Sequence, residues 1–259
     1  MALRENTLFG IADKVKDSIQ LLQDLEPDEG YYLAFSGGKD SICIKRIADM
    51  AGVKYDAHYS VTTIDPPELV QYIRKHHPNV AFVHPERPML KMFVKHGFPT
   101  RLSRWCCADY KENGGAGRKV ITGIRAAESA KRAGRRAVET CYKDSSKMYI
   151  NAIIRWTDDE VWEFIREQNL PYCKLYDEGW KRIGCLMCPM ANGEARNRER
   201  DTYPRYEAAF RKAFRDLHDR RSAEGKDGVK RWKDGDEMFD WWMDDNRTSE
   251  DSDQTVLFE

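Results

Sequence analysis

The chain turns from a strand pattern into a helix pattern at Tyr31-Tyr32-Leu33-Ala34-Phe35-Ser36-Gly37-Gly38-Lys39-Asp40-Ser41. The apolar, aromatic-rich run before Ser36 is typical of a buried strand, and the residues after Ser41 continue as a helix. The adjacent Gly37 and Gly38 lack the Cβ atoms that would keep an anion away from the backbone, and they tolerate positive φ. The first amides of the following helix would point into this turn. The pattern therefore predicts a strand–turn–helix site for an anionic ligand.

Polar side chains in the same turn add further ligand-binding groups. Ser36 and Ser41 add hydroxyl groups, and Lys39 adds a positive charge. Asp40 adds a carboxylate that suits a metal ion or a ligand hydroxyl. The Walker pattern differs, because four residues separate its glycines. The alternative is an ordinary turn with a helix-capping serine, but the chemistry of these side chains favours a nucleotide site.

Strand and helix patterns alternate after this turn. We expect strands at 31–35, 55–61, 79–84 and 119–125, and helices at 11–25, 42–48, 66–73, 126–132 and 157–168. This order predicts an α/β fold with a doubly wound, mostly parallel sheet and helices on both faces. Ligands of such sheets bind at the carboxyl ends of the strands, where Ser36–Ser41, Thr62–Asp65 and Gly123–Arg125 fall. We interpret Thr157–Glu160 as a structural capping box and assign its acids no catalytic role.

Arg125 is the candidate ligand-binding residue beyond the turn. Gly123 permits close approach of the backbone, and the guanidinium of Arg125 suits a phosphate or a carboxylate. Glu128 could hold this side chain in position. A surface arginine at a helix start is the alternative, and the place of Arg125 after the fourth strand favours a functional role. We therefore predict nucleotide contacts for Thr62, Gly123 and Arg125.

Composition and charge exclude several classes of protein. The 259 residues carry 43 Lys+Arg and 43 Asp+Glu, so no global field draws the chain to nucleic acid or membranes. No apolar run approaches membrane-spanning length, and the opening residues do not resemble a secretory signal. We therefore expect a cytoplasmic protein without a membrane partner. The seven cysteines then favour metal or redox chemistry over disulfides.

Pattern and composition divide the chain into four segments. We predict an N-terminal helix in 1–30, a nucleotide-binding domain in 31–170, a cysteine loop in 171–195 and a charged helical segment in 196–259. The last segment is basic and aromatic-bearing up to Lys233, is acidic from Asp234 to Asp245, and should fray at Thr248–Gln254. We favour an appendage whose basic and acidic halves complement each other. A local basic surface for an RNA or DNA substrate is the alternative.

Cys185-Leu186-Met187-Cys188, bracketed by Gly184 and Pro189, is a strong metal signal. The other candidate metal ligands are Cys106, Cys107 and Cys141. Four thiolates suit a tetrahedral zinc ion or an iron–sulfur cluster. Adjacent cysteines diverge around a single zinc ion, so we favour a [4Fe–4S] cluster and keep zinc as the alternative. We interpret Cys43 and Cys173 as ordinary thiols.

At Ser36–Ser41 the chain resembles the PP-loop family of adenine-nucleotide α-hydrolases, whose signature is Ser-Gly-Gly-x-Asp-Ser. Further segments are similar to the phosphoadenosine phosphosulfate (PAPS) reductase branch of that family, and the resemblance covers about residues 31–192. These segments are His58–Leu69, Arg104–Cys107, Gly123–Ser129, Trp156–Asp158 and Ile183–Pro189. The resemblance implies a loop that grips the pyrophosphate of ATP, which leaves as a substrate is adenylated.

The resemblance also implies a ligand set for a cluster. Assimilatory adenylylsulfate reductases of this branch hold a [4Fe–4S] cluster with a Cys-Cys pair and a later C-x₂-C. This implies Cys106, Cys107, Cys185 and Cys188 as ligands. Other PAPS-reductase-like proteins have a cysteine at the place of Cys141, which could substitute for one member of the pair.

Two departures from the reductases point away from sulfate reduction. True sulfonucleotide reductases use a nucleophilic cysteine in a C-terminal Glu-Cys-Gly-Leu-His motif, and this sequence has no cysteine after Cys188. They also usually carry a degenerate loop, because their ligand is a sulfonucleotide and no pyrophosphate is released. Here the loop Ser36–Ser41 is intact. We therefore expect hydrolysis of ATP at the α-phosphate.

Our leading hypothesis is an ATP-dependent enzyme of sulfur transfer. Mg·ATP would lie over Ser36–Ser41, with Lys39 on the pyrophosphate and Asp40 near Mg²⁺. Arg125 would orient the nucleotide or the acceptor, and a cysteine desulfurase or free sulfide would donate sulfur. The sequence leaves open whether the protein is a homo-oligomer.

Two other hypotheses remain open. The chain could be a sulfonucleotide reductase that uses an external thiol, or Cys106 or Cys107, in place of the missing cysteine. It could instead be a non-catalytic, nucleotide-sensing subunit of a larger assembly that docks through its charged C-terminal segment. Sulfite production would identify the reductase, and nucleotide binding without turnover would identify the sensor.

Overall fold

The computed structural model describes residues 3–7 and 10–244, so Asp245 and the segment 248–254 lie outside the described residues. Contacts divide the chain into two compact units. The first unit contains Met1–Ser60, Pro67–Val83 and Asn113–Ile183. The second unit contains Val61–Pro66, His84–Glu112 and Gly184–Glu259. Each unit is therefore assembled from segments that are distant in sequence.

The strands all belong to the first unit. They are β1 (Arg4–Thr7), β2 (Gly10–Asp13), β3 (Tyr31–Ala34), β4 (Tyr55–Ser60), β5 (Ala81–Val83), β6 (Lys119–Ile121), β7 (Val138–Thr140) and β8 (Met148–Ile150). β1 and β2 form an antiparallel hairpin, and the others form one sheet in the order β5-β4-β3-β6-β8-β7. Neighbours in this sheet are parallel except β7 and β8. The sheet confirms the predicted α/β class.

The α-helices belong to both units. They are α1 (Lys14–Asp24), α2 (Lys39–Ala51), α3 (Pro67–His76), α4 (Met89–His96), α5 (Trp105–Tyr110), α6 (Ala130–Ala133), α7 (Asp158–Glu167), α8 (Gly193–Thr202), α9 (Pro204–Ala223) and α10 (Gly235–Met243). In the first unit α2 contacts α1 and α7. Leu33 of β3, Ile44 of α2 and Phe164 of α7 are almost completely buried, so burial of apolar surface holds these elements together.

The structure corrects several predicted boundaries. Ile11 lies on β2, and α1 begins only at Lys14 because Asp13 caps it by accepting hydrogen bonds from the amides of Val15 and Lys16. The predicted fourth strand ends at Ile121, where β6 ends. The predicted helix at 126–132 is a 3-10 turn over Ala126–Glu128 followed by the short α6. The chain therefore turns away from the sheet immediately before Gly123–Arg125.

The second unit is helical around an aromatic core. α9 contacts both α4 and α10. The ring of Phe93 from α4 lies 5.7 Å from that of Phe210 and 6.2 Å from that of Trp242, which stack on each other at 5.8 Å. The indole N–H of Trp242 is satisfied by the carbonyl of Pro99 at 2.8 Å. The helices α8, α9 and α10, held together by this aromatic packing, confirm the predicted helical C-terminal region.

Charges on α9 and α10 complement each other within the second unit. Arg211 lies 2.8 Å from Asp240 and 3.4 Å from Asp236, and Arg215 lies 3.0 Å from Asp236. These partly exposed pairs add little stability each, but they neutralise part of the basic stretch. They support the complementary interpretation of this segment, and the RNA or DNA hypothesis gains no support from them.

Within the described part of the chain, none of the helices combines the length and the apolar character that crossing a lipid bilayer requires.

Candidate functional site

The predicted anion-binding turn lies at the carboxyl end of β3. Gly37 has φ +73°, and a Cβ atom there would lie 2.6 Å from Cδ1 of Ile73 and 2.8 Å from Cδ1 of Leu69. A side chain at this position would therefore both strain the backbone and collide with α3. Glycine at position 37 is required by the fold of the first unit itself.

The turn presents free amides at the start of α2. Gly38 is the N-cap, and Ile42 is the first residue whose amide bonds back, to the Gly38 carbonyl at 3.1 Å. In the part of the chain that the structure describes, the amides of Asp40 and Ser41 donate no hydrogen bond. Unpaired amides at a helix start, together with the helix dipole, attract anions.

The two hydroxyls of the turn hold its shape. The Ser41 hydroxyl donates to the Gly38 carbonyl at 2.8 Å, and the Ser36 hydroxyl lies 3.3 Å from the Ser41 oxygen. The Gly38 amide points at the Ser36 oxygen, at 3.4 Å. Ser36 is exposed, so its hydroxyl remains accessible to a ligand.

Four charged side chains meet beside these amides. Arg125, which is 2% exposed, donates to Asp40 at 2.6 Å, to Asp158 at 2.9 Å and to the Trp156 carbonyl at 3.3 Å. Lys39, which is 6% exposed, lies 3.0 Å from Asp158 and 3.8 Å from Asp40. The structure thus brings together the predicted residues Lys39, Asp40 and Arg125, and it adds Asp158.

The charge balance of this group sets its protonation. Burial raises the pKa of Asp40 above its ordinary value, although Lys39 and Arg125 oppose that shift. Burial is the largest single influence on Arg125 and lowers its pKa, but Asp40, Asp158 and Glu128 together outweigh burial, so the net pKa is raised and the guanidinium stays charged. Burial likewise opposes ionisation of Asp158, yet Lys39 and Arg125 together hold its pKa below the ordinary value. Two fixed cations therefore lie beside free amides, which suits a polyanionic ligand.

Gly123 occupies a place that is tight for any larger residue. A Cβ atom there would lie 3.1 Å from both the carbonyl carbon and the Cβ of Asp40. Glycine is therefore explained by close packing of the chain after β6 against the start of α2. Its predicted contact with a nucleotide stays a prediction.

Two residues of this site escaped the sequence-based prediction. The capping box of Thr157 and Glu160 is confirmed, and it directs Asp158, in the first turn of α7, to Lys39 and Arg125. Its family-like run Trp156–Asp158 was the available signal. Tyr176 accepts a hydrogen bond from the Lys39 amide at 3.0 Å. Nothing in its local sequence indicates this contact.

Four predicted metal ligands belong to the second unit. Cys106 and Cys107 lie in α5, and Cys185 and Cys188 lie on the loop before α8. A hydrogen bond with Cys107 is the main cause that raises the pKa of Cys106, followed by burial and by the nearby Cys185 and Cys188. The other three thiols therefore lie close enough to Cys106 to influence its ionisation.

Cations accompany these thiols. The hydrogen bond from Cys106 lowers the pKa of Cys107, and the guanidinium of Arg104, 3.4 Å from the Cys107 sulfur, adds to that effect. The charge of Cys185 raises the pKa of Lys111. Positive charge at a thiol group favours the thiolate form, which is the form that binds metals.

The loop between Cys185 and Cys188 is held by the backbone and by buried polar groups. The Leu186 amide donates to the Ile64 carbonyl at 2.9 Å, and the Cys185 thiol points at the hydroxyl of Thr62 at 3.5 Å. Thr62, predicted as a nucleotide contact, is fully buried in the second unit beside this cysteine. The Met187 amide donates to the carboxylate of Glu199 on α8.

The remaining cysteines lie in the first unit. Cys141 follows β7, where burial opposes ionisation but a hydrogen bond with Tyr149 and the amides of Lys143 and Asp144 lower its pKa. Cys43 is fully buried on α2, and burial raises its pKa well above the ordinary value. Burial also raises the pKa of Cys173. Cys43 and Cys173 therefore have the environment of structural thiols.

The cysteines do not form a single-ion site. Among residues 3–7 and 10–244, no three His, Cys, Asp or Glu side chains gather closely enough to hold one metal ion. A zinc ion needs such a set at short distances. The described side chains therefore support neither zinc nor a [4Fe–4S] cluster directly, and both stay predictions.

Comparisons with known proteins agree with this architecture. A family model described as the phosphoadenosine phosphosulfate reductase domain matches residues 30–191. The crystal structure of phosphoadenylyl-sulfate reductase from Candida auris, a phosphate complex, is similar with a TM-score of 0.52 and 20% identity. The similarity covers 66% of this chain and 89% of that chain, and it shows a shared fold.

Curated relatives include proteins of two kinds. An uncharacterized protein of Methanocaldococcus jannaschii is 29% identical over 219 residues, which cover 78% of this chain and 45% of that protein. An adenosine 5'-phosphosulfate reductase of Oceanobacillus iheyensis is 29% identical over 152 residues, which cover 54% of this chain and 60% of that enzyme. The chain spans about half the length of the curated relatives it matches. Because the family model matches more than half of its residues, the chain belongs to the phosphoadenosine phosphosulfate reductase family.

Proposed function

We propose that this chain binds Mg·ATP on the Ser36–Ser41 turn, adenylates an acceptor with release of pyrophosphate, and supports sulfur transfer. The observation that carries the proposal is the pairing of two buried cations, Lys39 and Arg125, with the unpaired amides at the start of α2. Fixed positive groups and oriented amides stabilise the charge that develops on a departing pyrophosphate.

Each group of the first unit has a defined role in this proposal. The amides of Asp40 and Ser41 bind phosphate oxygens, and Lys39 neutralises the pyrophosphate. Arg125 is positioned by Asp40 and Asp158 to orient the nucleotide or the acceptor. The carboxylate of Asp40 supplies an oxygen ligand for Mg²⁺, an ion that binds one or two carboxylates together with substrate phosphates.

The cysteines of the second unit account for the sulfur-transfer part of the proposed function. Cys106, Cys107, Cys185 and Cys188 have the chemistry of a [4Fe–4S] ligand set, and the cations Arg104 and Lys111 would offset its negative charge. A cluster distributes its protein ligands over several irons, which suits an adjacent pair of cysteines together with a C-x₂-C. Such a cluster, when bound, would hold the sulfur that a separate donor delivers for the transfer. The sulfur donor we propose is a cysteine desulfurase or free sulfide.

A second candidate function is reduction of a sulfonucleotide. It is favoured by the relative from Oceanobacillus iheyensis that is named adenosine 5'-phosphosulfate reductase. In this function the same amides and cations would bind the phosphosulfate, and an external thiol, or Cys106 or Cys107, would attack sulfur. We rank it second because Ser36–Ser41 retains every residue needed to bind a pyrophosphate.

The test is an assay for pyrophosphate and AMP with anaerobically reconstituted protein and Mg·ATP, with and without candidate acceptors. We expect pyrophosphate only when an acceptor is present, and an equal amount of AMP once sulfide is added to displace it from the adenylated acceptor. Lys39→Ala should abolish them, because it removes the charge that faces the leaving group. Lys45→Ala is the matched control, because Lys45 lies on the same helix but pairs with Asp49 at 3.3 Å. Nucleotide binding without products for every acceptor would instead favour a sensing subunit.

A further inference from the structure

We propose that the hydroxyl of Tyr176 is a phosphate-binding group of the nucleotide site and remains in place when the ligand binds. The proposal rests on the proposed nucleotide binding by the first unit and goes beyond it, because it assigns a residue outside the Ser36–Ser41 turn. The observation is the hydrogen bond from the Lys39 amide to the Tyr176 oxygen, at 3.0 Å.

The position of this oxygen is where a ligand is expected. It lies 3.4 Å from the place that a Cβ atom of Gly38 would occupy, so it faces the glycine of the turn directly. The Lys39 amide precedes the unpaired amides of Asp40 and Ser41 in the first turn of α2. An anion bound to those two amides would therefore lie beside the Tyr176 hydroxyl.

The Tyr176 hydroxyl can still donate a hydrogen bond. A tyrosine hydroxyl accepts a hydrogen bond and donates one, and here the acceptor function is satisfied by the Lys39 amide. Burial raises the pKa of Tyr176, with the nearby carboxylate of Asp40 adding to the shift, so the hydroxyl keeps its proton. Within residues 3–7 and 10–244, no hydrogen bond from this hydroxyl is found. A phosphate oxygen would accept it, in a strong bond to a charged group.

The ring of Tyr176 is held by its neighbours. The hydroxyl is therefore expected to stay in place and contact the ligand, and not to be displaced by it. Its ring meets Trp162 edge to face, with 5.0 Å between centroids, and Tyr172 at 6.4 Å. It ends the 3-10 turn Lys174–Tyr176, whose central Leu175 is 1% exposed. Displacement of the hydroxyl would require this packed turn to move. Retention requires only rotation of one O–H bond.

The experiment compares Tyr176→Phe with the wild-type chain by calorimetric titration with inorganic pyrophosphate, Mg·ATP and adenosine. The substitution keeps the ring and removes the hydroxyl. We expect affinity for pyrophosphate and for Mg·ATP to fall about tenfold, as loss of a hydrogen bond to a charged group predicts. Any affinity for adenosine should be unchanged, because the nucleoside has no phosphate.

Tyr172→Phe is the matched control. The Tyr172 ring also packs against Trp162, but its hydroxyl donates to Asp177 at 2.9 Å, away from the turn. This variant should bind all ligands like the wild-type chain. Thermal unfolding of both variants shows whether each is folded.

The outcomes separate this proposal from the proposed function. Unchanged or tighter binding of pyrophosphate by Tyr176→Phe overturns the role of Tyr176 and leaves the proposed function standing. Weaker binding by Tyr176→Phe, in a chain that makes no pyrophosphate from ATP with any acceptor, supports Tyr176 and overturns the adenylation reaction. A wild-type chain that binds neither pyrophosphate nor Mg·ATP overturns both.

Discussion

The ammonium of Lys39 lies 3.0 Å from a carboxylate oxygen of Asp158, and the guanidinium of Arg125 donates to the same oxygen at 2.9 Å. The Asp158 side chain, 60% exposed, therefore serves as counter-ion to both Lys39 and Arg125. A phosphate that binds these cations must share them with Asp158. The acid that sequence patterning assigned to a capping box is thus part of the anion site.

Replacing this counter-ion should strengthen anion binding. Asp158→Asn removes one negative charge from the group, and Asp40 and the Trp156 carbonyl still hold Arg125 in place. We expect pyrophosphate to bind about fivefold more tightly, the effect of ~1 kcal/mol typical of an exposed charge pair, with a weaker gain at high salt. Calorimetric titration at two salt concentrations measures it.

Asp159→Asn is the control for this substitution. Asp159 is the next residue of α7. It is also an exposed aspartate in the first turn of that helix, but it makes no contact with Lys39 or Arg125. It should leave affinity unchanged. Weaker pyrophosphate binding by Asp158→Asn would mean that Asp158 organises the cations instead of competing for them.

His77 should make the stability of the first unit depend on pH. Burial, and then the charge of Lys45, lower the pKa of His77 to about 4 from the value of 6.5 expected in the unfolded chain. Between pH 4 and pH 6.5 this imidazole is therefore neutral in the folded chain but protonated in the unfolded chain, so stability is full above pH 6.5 and is lost as pH falls toward 4. We expect a loss of about 2 kcal/mol over this range, after allowance for partial exposure.

Urea unfolding of His77→Gln at pH 7 and pH 4.5 tests this prediction. The Nε2 atom of His77 lies 2.8 Å from the Tyr72 hydroxyl, and a glutamine amide can retain a donor there without titrating. The variant should lose less stability between the two pH values than the wild-type chain. The control His84→Gln removes an exposed imidazole that is not among the groups that shift the pKa of His77, and it should keep the wild-type slope. Equal slopes for all three proteins would contradict the assignment.

Gly123 should tolerate a side chain poorly. In Gly123→Ala the new methyl group would lie 3.1 Å from the backbone carbon of Asp40, so the start of α2 must shift. We expect a loss of about 1–3 kcal/mol in the free energy of unfolding, the usual cost of overpacking. Gly134→Ala is the control, because a Cβ atom there approaches nothing closer than the Lys131 carbonyl at 4.0 Å. A Gly123→Ala protein as stable as the control would contradict the close packing.

Glu199 should stabilise the cysteine loop of the second unit. Its carboxylate, 6% exposed, accepts the amide hydrogen of Met187, whose φ of +53° is unusual for a non-glycine residue. Glu199→Ala leaves that amide unpaired, so we expect the reconstituted protein to lose iron to a chelator several-fold faster than the wild-type protein. Iron and sulfide content per chain measure it.

The matched control for Glu199 lies on the same helix. Glu194 is exposed in the first turn of α8, and Glu194→Ala should release iron at the wild-type rate. If Glu199→Ala retains iron equally well, the carboxylate does not support the loop in the way proposed.

Features that are marked by a local sequence pattern could be predicted, whereas features that depend on contacts in the folded chain could not. The Gly37-Gly38 turn and the alternation of strands and helices are local patterns, so the sheet class and the Lys39, Asp40 and Arg125 group could be predicted. β7 and β8 were missed, although β5 and β6 are equally short and were predicted. The charged Glu139 stands at the centre of β7, so no apolar run marks that strand in the sequence. Tyr176 was missed because its role depends on a contact with the Lys39 amide that only the folded chain creates.

We propose that Ser36–Ser41 binds ATP in preference to a sulfonucleotide and releases its pyrophosphate. The most direct measurement titrates anaerobically reconstituted protein with Mg·ATP and, separately, with PAPS in a calorimeter, and assays the same samples for pyrophosphate and sulfite. We predict tighter binding of Mg·ATP, with pyrophosphate formed once an acceptor is added and no sulfite. Tighter binding of PAPS, with sulfite appearing when a thiol is added, would contradict the claim and establish the reductase.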